Sequence, residues 1–305
     1  MSRERFEQHV SWLASHYNCV SLTALLEQQA AGDIAPRTVC VTFDDGFLNN
    51  CTVALPILKK YRVPATVFVA VGYVGRDQLI WADQLAGVIA VHIGKSAVKF
   101  NANSYSVDTP DECAKTYRSL ASAFKKLHPY LIDSELLRLV SENNVDTSAL
   151  QKAPWFDEFR IADWQHLREM RSSELVEIGS HTINHTIVSR LTRDEARLEI
   201  SECKKILTAN VDASPYFAYP NGGDGDFSSE HRELAIGAGY RAVVNAISGT
   251  FTKHSDPFNI YRIGVGAETS VPDLDYMLRL GAAYSNRRSV AQLMNGLVSG
   301  TMGRW

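Results

Sequence analysis

The stretch TVCVTFDDGF, Thr38 to Phe47, is a β-branched apolar run that ends in two adjacent carboxylates, Asp44 and Asp45, and an Asp-Gly turn. A run of this kind without polar alternation predicts a strand buried on both faces, as in a parallel sheet. The next such run, ATVFVAV (Ala65 to Val71), lies beyond NNCTVALPILKKY, which has helical character and whose Pro56 belongs in a first turn or at a kink. Strand, helix and strand at this spacing form a βαβ unit, which implies a parallel sheet with right-handed crossovers.

Upstream, Phe6, Val10, Leu13 and Tyr17 recur at helical spacing, and SLTALLEQQA is a second helix stopped by Gly32 and Pro36. Downstream the rhythm resumes. ELVEIGS, YFAYP, RAVVNA and NIYRIGV are strand-like, and TRDEARLEISECKKIL opens on a Thr192-x-x-Glu195 capping box. Between them, residues from about 72 to 160 break the alternation with helical stretches and a hairpin made of SAVKF and SYSVD. The reading is an α/β chain organised as one domain over residues 1–305, with this segment inserted and a helical tail from about 271 to 305.

Composition narrows the function classes. The chain has 305 residues, 45% of them hydrophobic, which is enough for a sizeable core and argues against disorder. A net charge of -3 gives no bulk attraction to nucleic acid or an anionic membrane. The five cysteines are scattered without a CxxC pair, which fits a reducing compartment. The opening MSRERFEQHVSWLASHY is charged where a secretory leader carries an apolar block, and no later stretch is apolar enough to span a membrane. A cytoplasmic location is expected from the chain as it stands.

The second chemical feature is GSHTINHTIVSRL, where His181 and His185 follow the strand VEIG. A spacing of four places both imidazoles on one face of a helical turn, near enough to share a metal ion. In parallel α/β folds the loops after the strands collect at one end of the sheet. A carboxylate from one such loop and two imidazoles from another make three protein ligands, leaving a position open for water as in catalytic zinc sites. Consecutive side chains on extended backbone point to opposite sides. One member of the Asp44–Asp45 doublet can therefore bind metal while the other faces the water as a base.

TFDDG followed by SHTINH resembles the polysaccharide deacetylase family, the carbohydrate esterases with a NodB-homology domain. The similarity runs from about Phe6 to Val265, most weakly in the inserted segment. It implies a distorted (β/α) barrel of about seven strands and a divalent metal, expected to be zinc, held by Asp45, His181 and His185. It makes Asp44 the general base, and it implies removal of acetyl groups from N-acetylated sugars of a glycan or its precursor. The family's Arg-x-Pro-Tyr motif corresponds to FAYPNGG, with Ala218 in place of Arg and Asn221 in place of Tyr. The resemblance puts Tyr219 and Asn221 at the substrate, Asn221 through its backbone N–H. The chain has neither the family's later Asp-Trp pair nor its Leu-x-His, and YRIGVGAE with Arg262 occupies the latter place. Arg262 is expected to replace the missing Arg beside Asp44. His231 and His254 are expected to face solvent. Two other functions fit the same residues: a carbohydrate-binding protein that keeps the metal without catalysis, and an amidohydrolase acting on a non-sugar amide.

Overall fold

A computed structural model describes residues 1–281 except Pro154; the part of the expected helical tail beyond residue 281 lies outside the described residues. The chain falls into two compact units, one made of residues 1–75 and the chain from 161 onward, the other of residues 76–160.

In the first unit α1 (Arg3–His16) and α2 (Leu22–Ala31) flank the two-residue β1 (Asn18–Cys19), and Gly32 ends α2 in a left-handed conformation, φ 72°. The Thr38–Phe43 run is interrupted at Cys40 into β2 (Thr38–Val39) and β3 (Val41–Phe43). β2 pairs with β1 in a small parallel ribbon, and β3 joins the main sheet. The expected single buried strand is therefore two half-buried ones, because β3 lies at a sheet edge and is covered less completely than an interior strand. A π-helical segment, Asn50–Ala54, runs without a break into α3 (Leu55–Tyr61), so Pro56 sits inside a continuous helical stretch directly after the wider π turns. β4 (Ala65–Val69) follows and is buried throughout.

The second unit holds α4 (Trp81–Ala90), an antiparallel hairpin of β5 (Val98–Phe100) and β6 (Asn103–Tyr105), then α5 (Pro110–Phe124), α6 (Pro129–Glu142) and α7 (Thr147–Gln151). Trp81, Phe100 and Phe124 pack together at its centre.

The first unit resumes with α8 (Trp164–Ser172), β7 (Val176–Ser180), α9 (Arg193–Asn210), β8 (Tyr216–Ala218), α10 (Ser229–Gly237), β9 (Ala242–Ser248), β10 (Ile260–Arg262) and α11 (Val271–Leu280). Its main sheet has six parallel strands in the order β10-β9-β8-β7-β4-β3, each beside the strand that precedes it within this sheet, curled into a half-barrel.

Strand alternation divides the core in two. From β8 and β9, Tyr216, Ala218, Ala242 and Val244 point into the curl, where Leu22 and Leu25 of α2 and Phe68 of β4 fill it. Phe217 and Val243 point outward against Ala196 and Ile200 of α9 and Leu234 and Ala235 of α10. Glu177, at the start of β7, accepts hydrogen bonds from the Leu22 and Thr23 N–H groups and from the Thr66 hydroxyl. This ties α2, by its N-terminus, to the sheet.

Candidate metal centre

Asp44 and Asp45 follow β3, but the backbone there is not extended: Asp45 has φ 71° and Gly46 φ 85°. A non-glycine residue in this left-handed region costs roughly 1–2 kcal/mol, and short polar Asp is among the residues that tolerate it best. The turn is held by the Gly46 N–H donating to the Asp44 carbonyl at 2.9 Å and the Ala70 N–H donating to the Asp45 carbonyl at 3.2 Å. The two carboxylates thus diverge because the chain reverses its hand between them; the alternation of an extended strand is not the cause.

The histidine pair shows a second departure from expectation. His181 to His185 is a loop, with Thr182 at φ 61° and His185 at φ 53°. It leaves β7 with the His181 N–H on the Val69 carbonyl at 3.0 Å, and the Thr182 hydroxyl accepts from the Thr186 N–H at 3.1 Å. Two left-handed residues, and no helical turn, bring the imidazoles to a ring separation of 5.2 Å.

Asp45, His181 and His185 converge as expected. Asp45 Oδ1 lies 3.4 Å from His181 Nε2 and 3.0 Å from His185 Nε2. The three candidate ligand atoms all lie within 4.8 Å of one another, a spacing one divalent ion can bridge. The His181 Nδ1–H donates to the Ala218 carbonyl at 2.8 Å, which leaves the Nε2 lone pair free to ligate. Donor set and tautomer therefore fit a metal. Burial opposes charge on Asp45, but the imidazoles of His185 and His181 outweigh it and hold the carboxyl well below the usual range.

Asp44 is held apart from this cluster by Arg262 from β10. The guanidinium donates to Oδ1 at 2.8 Å and Oδ2 at 2.7 Å, while its Nε donates to the Asn245 carbonyl at 2.7 Å. Burial raises the Asp44 pKa, and Arg262 and His181 together lower it by more, so the carboxyl stays below its ordinary value.

Asn221 and Gly222 are both left-handed, φ 63° and 64°. The Asn221 N–H has no acceptor among the described residues, and its side chain donates to Asp226 Oδ2 at 3.2 Å. Tyr219 is not brought to the site. It is 1% exposed, stacked on Phe227 at 4.5 Å in the outer core, because it continues the outward-facing set begun by Phe217. The expectation that its side chain binds substrate is corrected accordingly. His254 is exposed as expected, but His231 is buried, bonded to Ser228 and to the Val188 carbonyl.

One residue that motif reading missed is Glu199. It is 4% exposed on α9, and its carboxylate takes the Ile183 and Asn184 N–H groups from the middle of the histidine loop. Its signal was present: it interrupts the buried stripe Ala196, Ile200, Cys203 and Leu207 at helical spacing.

Comparison with known proteins gives a concordant picture. The family model described as polysaccharide deacetylase matches residues 31–243. A poly-beta-1,6-N-acetyl-D-glucosamine N-deacetylase of Staphylococcus aureus is 34% identical over 87 residues, 28% of this chain and 30% of that relative's length. Among solved structures, the Streptococcus pyogenes deacetylase PplD in complex with acetate aligns with TM-score 0.56 and 16% identity, over 90% of this chain and 86% of that one. IcaB from Ammonifex degensii aligns with TM-score 0.55 and 20% identity, over 92% and 90%. At such identities these likenesses show the fold.

Proposed function

Since the chain belongs to the polysaccharide deacetylase family, we propose that it is a metal-dependent hydrolase that removes acetyl groups from N-acetylated sugars. The observation that carries this reading is the ligand triad Asp45, His181 and His185 beside a separate carboxylate, Asp44, that Arg262 keeps ionised. A divalent ion bound by the triad, zinc by the chemistry of its donors, supplies the positive charge that polarises an amide carbonyl and acidifies water.

The protein's own groups do the rest. Asp44 takes a proton from the attacking water as its oxygen adds to the acetyl carbon. The Arg262 fork meets Asp44 along the two N–H···O directions, fixing the carboxylate plane and leaving each oxygen a further lone pair. The Asn221 N–H is free to donate to the oxyanion as charge develops there. Arg262 lowers the affinity of Asp44 for the proton, which favours its transfer to the amide nitrogen as the C–N bond breaks. Acetate and a free amine leave, so one group serves as base and then acid in a chain without the Leu-x-His of its family.

Similarity to the Staphylococcus aureus relative supports a polymer of N-acetylglucosamine as substrate, although the chain spans only 30% of that relative's length. The test is acetate release from β-1,6-linked N-acetylglucosamine oligomers, with zinc added or removed, for the wild type and Asp44→Asn. Zinc-dependent release by the wild type, abolished in the variant while the variant still binds zinc, is expected. A protein that only bound sugar would release no acetate, and one specific for other amides would act on small N-acetyl compounds instead.

A further inference from the structure

The loop that carries both imidazoles is clamped on two flanks. On one, the segment after β4, the Val71 N–H donates to the Thr182 carbonyl at 3.3 Å and the Gly72 N–H donates to the Ile183 carbonyl at 2.8 Å. Gly72 is needed there, since a Cβ would lie 2.6 Å from the Ile183 oxygen. On the other, α9, the Cys203 thiol donates to the Thr182 carbonyl at 3.1 Å, and Glu199, one turn earlier on the same helix, receives the loop's N–H groups. Its Oε2 accepts from the Ile183 N–H at 2.7 Å and the Asn184 N–H at 3.1 Å, and its Oε1 accepts from Asn184 Nδ2 at 2.7 Å.

This arrangement opposes the chain's own preference. Thr182 is β-branched and sits at positive φ, where residues of its kind are outliers unless the surroundings hold them; His185 is left-handed as well, a conformation histidine tolerates better. The two backbone N–H groups that Glu199 engages belong to the residues lying between these two left-handed positions. A buried carboxylate is suited to the task because it accepts three donors without offering one. A glutamine of the same shape would set its own NH2 against that of Asn184 or against the backbone N–H groups.

We infer that Glu199 is a positioning residue that holds His185 within reach of Asp45 and His181, and thereby sets the affinity of the centre for its divalent ion; the inference rests on the metal-site reading above. Glu199 does not ligate the ion. It fixes the loop conformation from which the ligands converge, so its removal acts on binding before it acts on chemistry.

The experiment is competitive titration of zinc against a chromophoric chelator for the wild type, Glu199→Gln, Asn184→Ala, Asn184→Asp and the double variant Glu199→Gln/Asn184→Asp. The visible absorption of each cobalt-substituted protein and the urea midpoint of each metal-free protein complete the set. Glu199→Gln is expected to weaken zinc binding by about 10- to 100-fold, the range seen for groups that orient metal ligands, and to alter the cobalt band. In the double variant the amide introduced on α9 donates to the carboxylate introduced in the loop, restoring the link in reverse, and most of the affinity should return beyond what Asn184→Asp shows alone. Asn184 is exposed, so Asn184→Ala provides a variant that folds even if Glu199→Gln does not, with a smaller loss of affinity. Wild-type affinity in Glu199→Gln and Asn184→Ala overturns the inference. A loss in Glu199→Gln that tracks metal-free stability and is not recovered in the double variant overturns it too. A wild type that binds no zinc removes the metal-site reading itself, and the inference with it.

Discussion

Arg262 and Asp44 stand 218 positions apart in the chain, and the guanidinium of one meets both carboxylate oxygens of the other at 2.8 and 2.7 Å. They belong to the two edges of the six-stranded sheet, β10 and the turn after β3. Arg262 also donates to the Thr42 hydroxyl at 3.3 Å, so one side chain spans the gap that strand pairing leaves open.

Arg262→Met should therefore disable catalysis without emptying the metal site. We expect kcat to fall roughly a hundredfold or more, within the range a positioned general base contributes, with KM and zinc affinity near wild type. Arg262→Lys should recover little, because an ammonium cannot make the paired contact. Steady-state kinetics of acetate release, set beside zinc titration, check this; an unchanged kcat would remove Arg262 from the mechanism.

Zinc should stabilise the folded chain. An ion at about a thousand times its dissociation constant adds about 4 kcal/mol if the unfolded chain binds none. Thermal unfolding with chelator and with zinc measures the difference, and Asp45→Asn should abolish most of it by removing the carboxylate that lies against both imidazoles.

Glu177 makes a prediction about the fold that leaves the site alone. Its carboxylate satisfies the Leu22 and Thr23 N–H groups and the Thr66 hydroxyl. Glu177→Ala leaves those three donors without it and should cost about 3 kcal/mol in urea unfolding. Glu177 opens β7 while His181 follows its end, so zinc affinity should not change. A parallel loss of metal binding would mean that the strand transmits the damage.

His231 supplies a pH dependence. Burial depresses its pKa below the ordinary 6.5, so the folded chain keeps it neutral while the unfolded chain takes up a proton first. Its contribution to stability is whole above 6.5 and declines as pH falls from there toward the depressed folded value. Urea midpoints of the wild type and His231→Asn between pH 7.5 and about 5 should converge as the solution is acidified. Parallel curves would contradict the assignment.

Much of this molecule is written in short-range pattern. Apolar runs of strand length, helical stripes, and the Thr192-x-x-Glu195 box specify the βα units, because each reflects the backbone geometry of a few neighbouring residues. The doublet at Asp44–Asp45 and the pair His181 and His185 name the candidate ligand chemistry, because donor type is a property of the residue itself. Their local conformation was not readable in the same way. Helical spacing suggested a helical turn, and extended backbone suggested alternation, whereas the structure has left-handed residues at Asp45, Thr182 and His185. Such conformations are set by distant partners, among them Glu199, Gly72 and Ala70.

The same reason explains what sequence reading misplaced. Tyr219 adjoins the motif in the chain, yet alternation along β8 turns it outward to Phe227. β1 is two residues long, too short for any period, and exists because Thr38 and Val39 pair with it. Local preference names the units and the candidate ligands; the curl of the sheet, which brings its first and last strands to opposite ends of one arginine side chain, decides which of those residues meet.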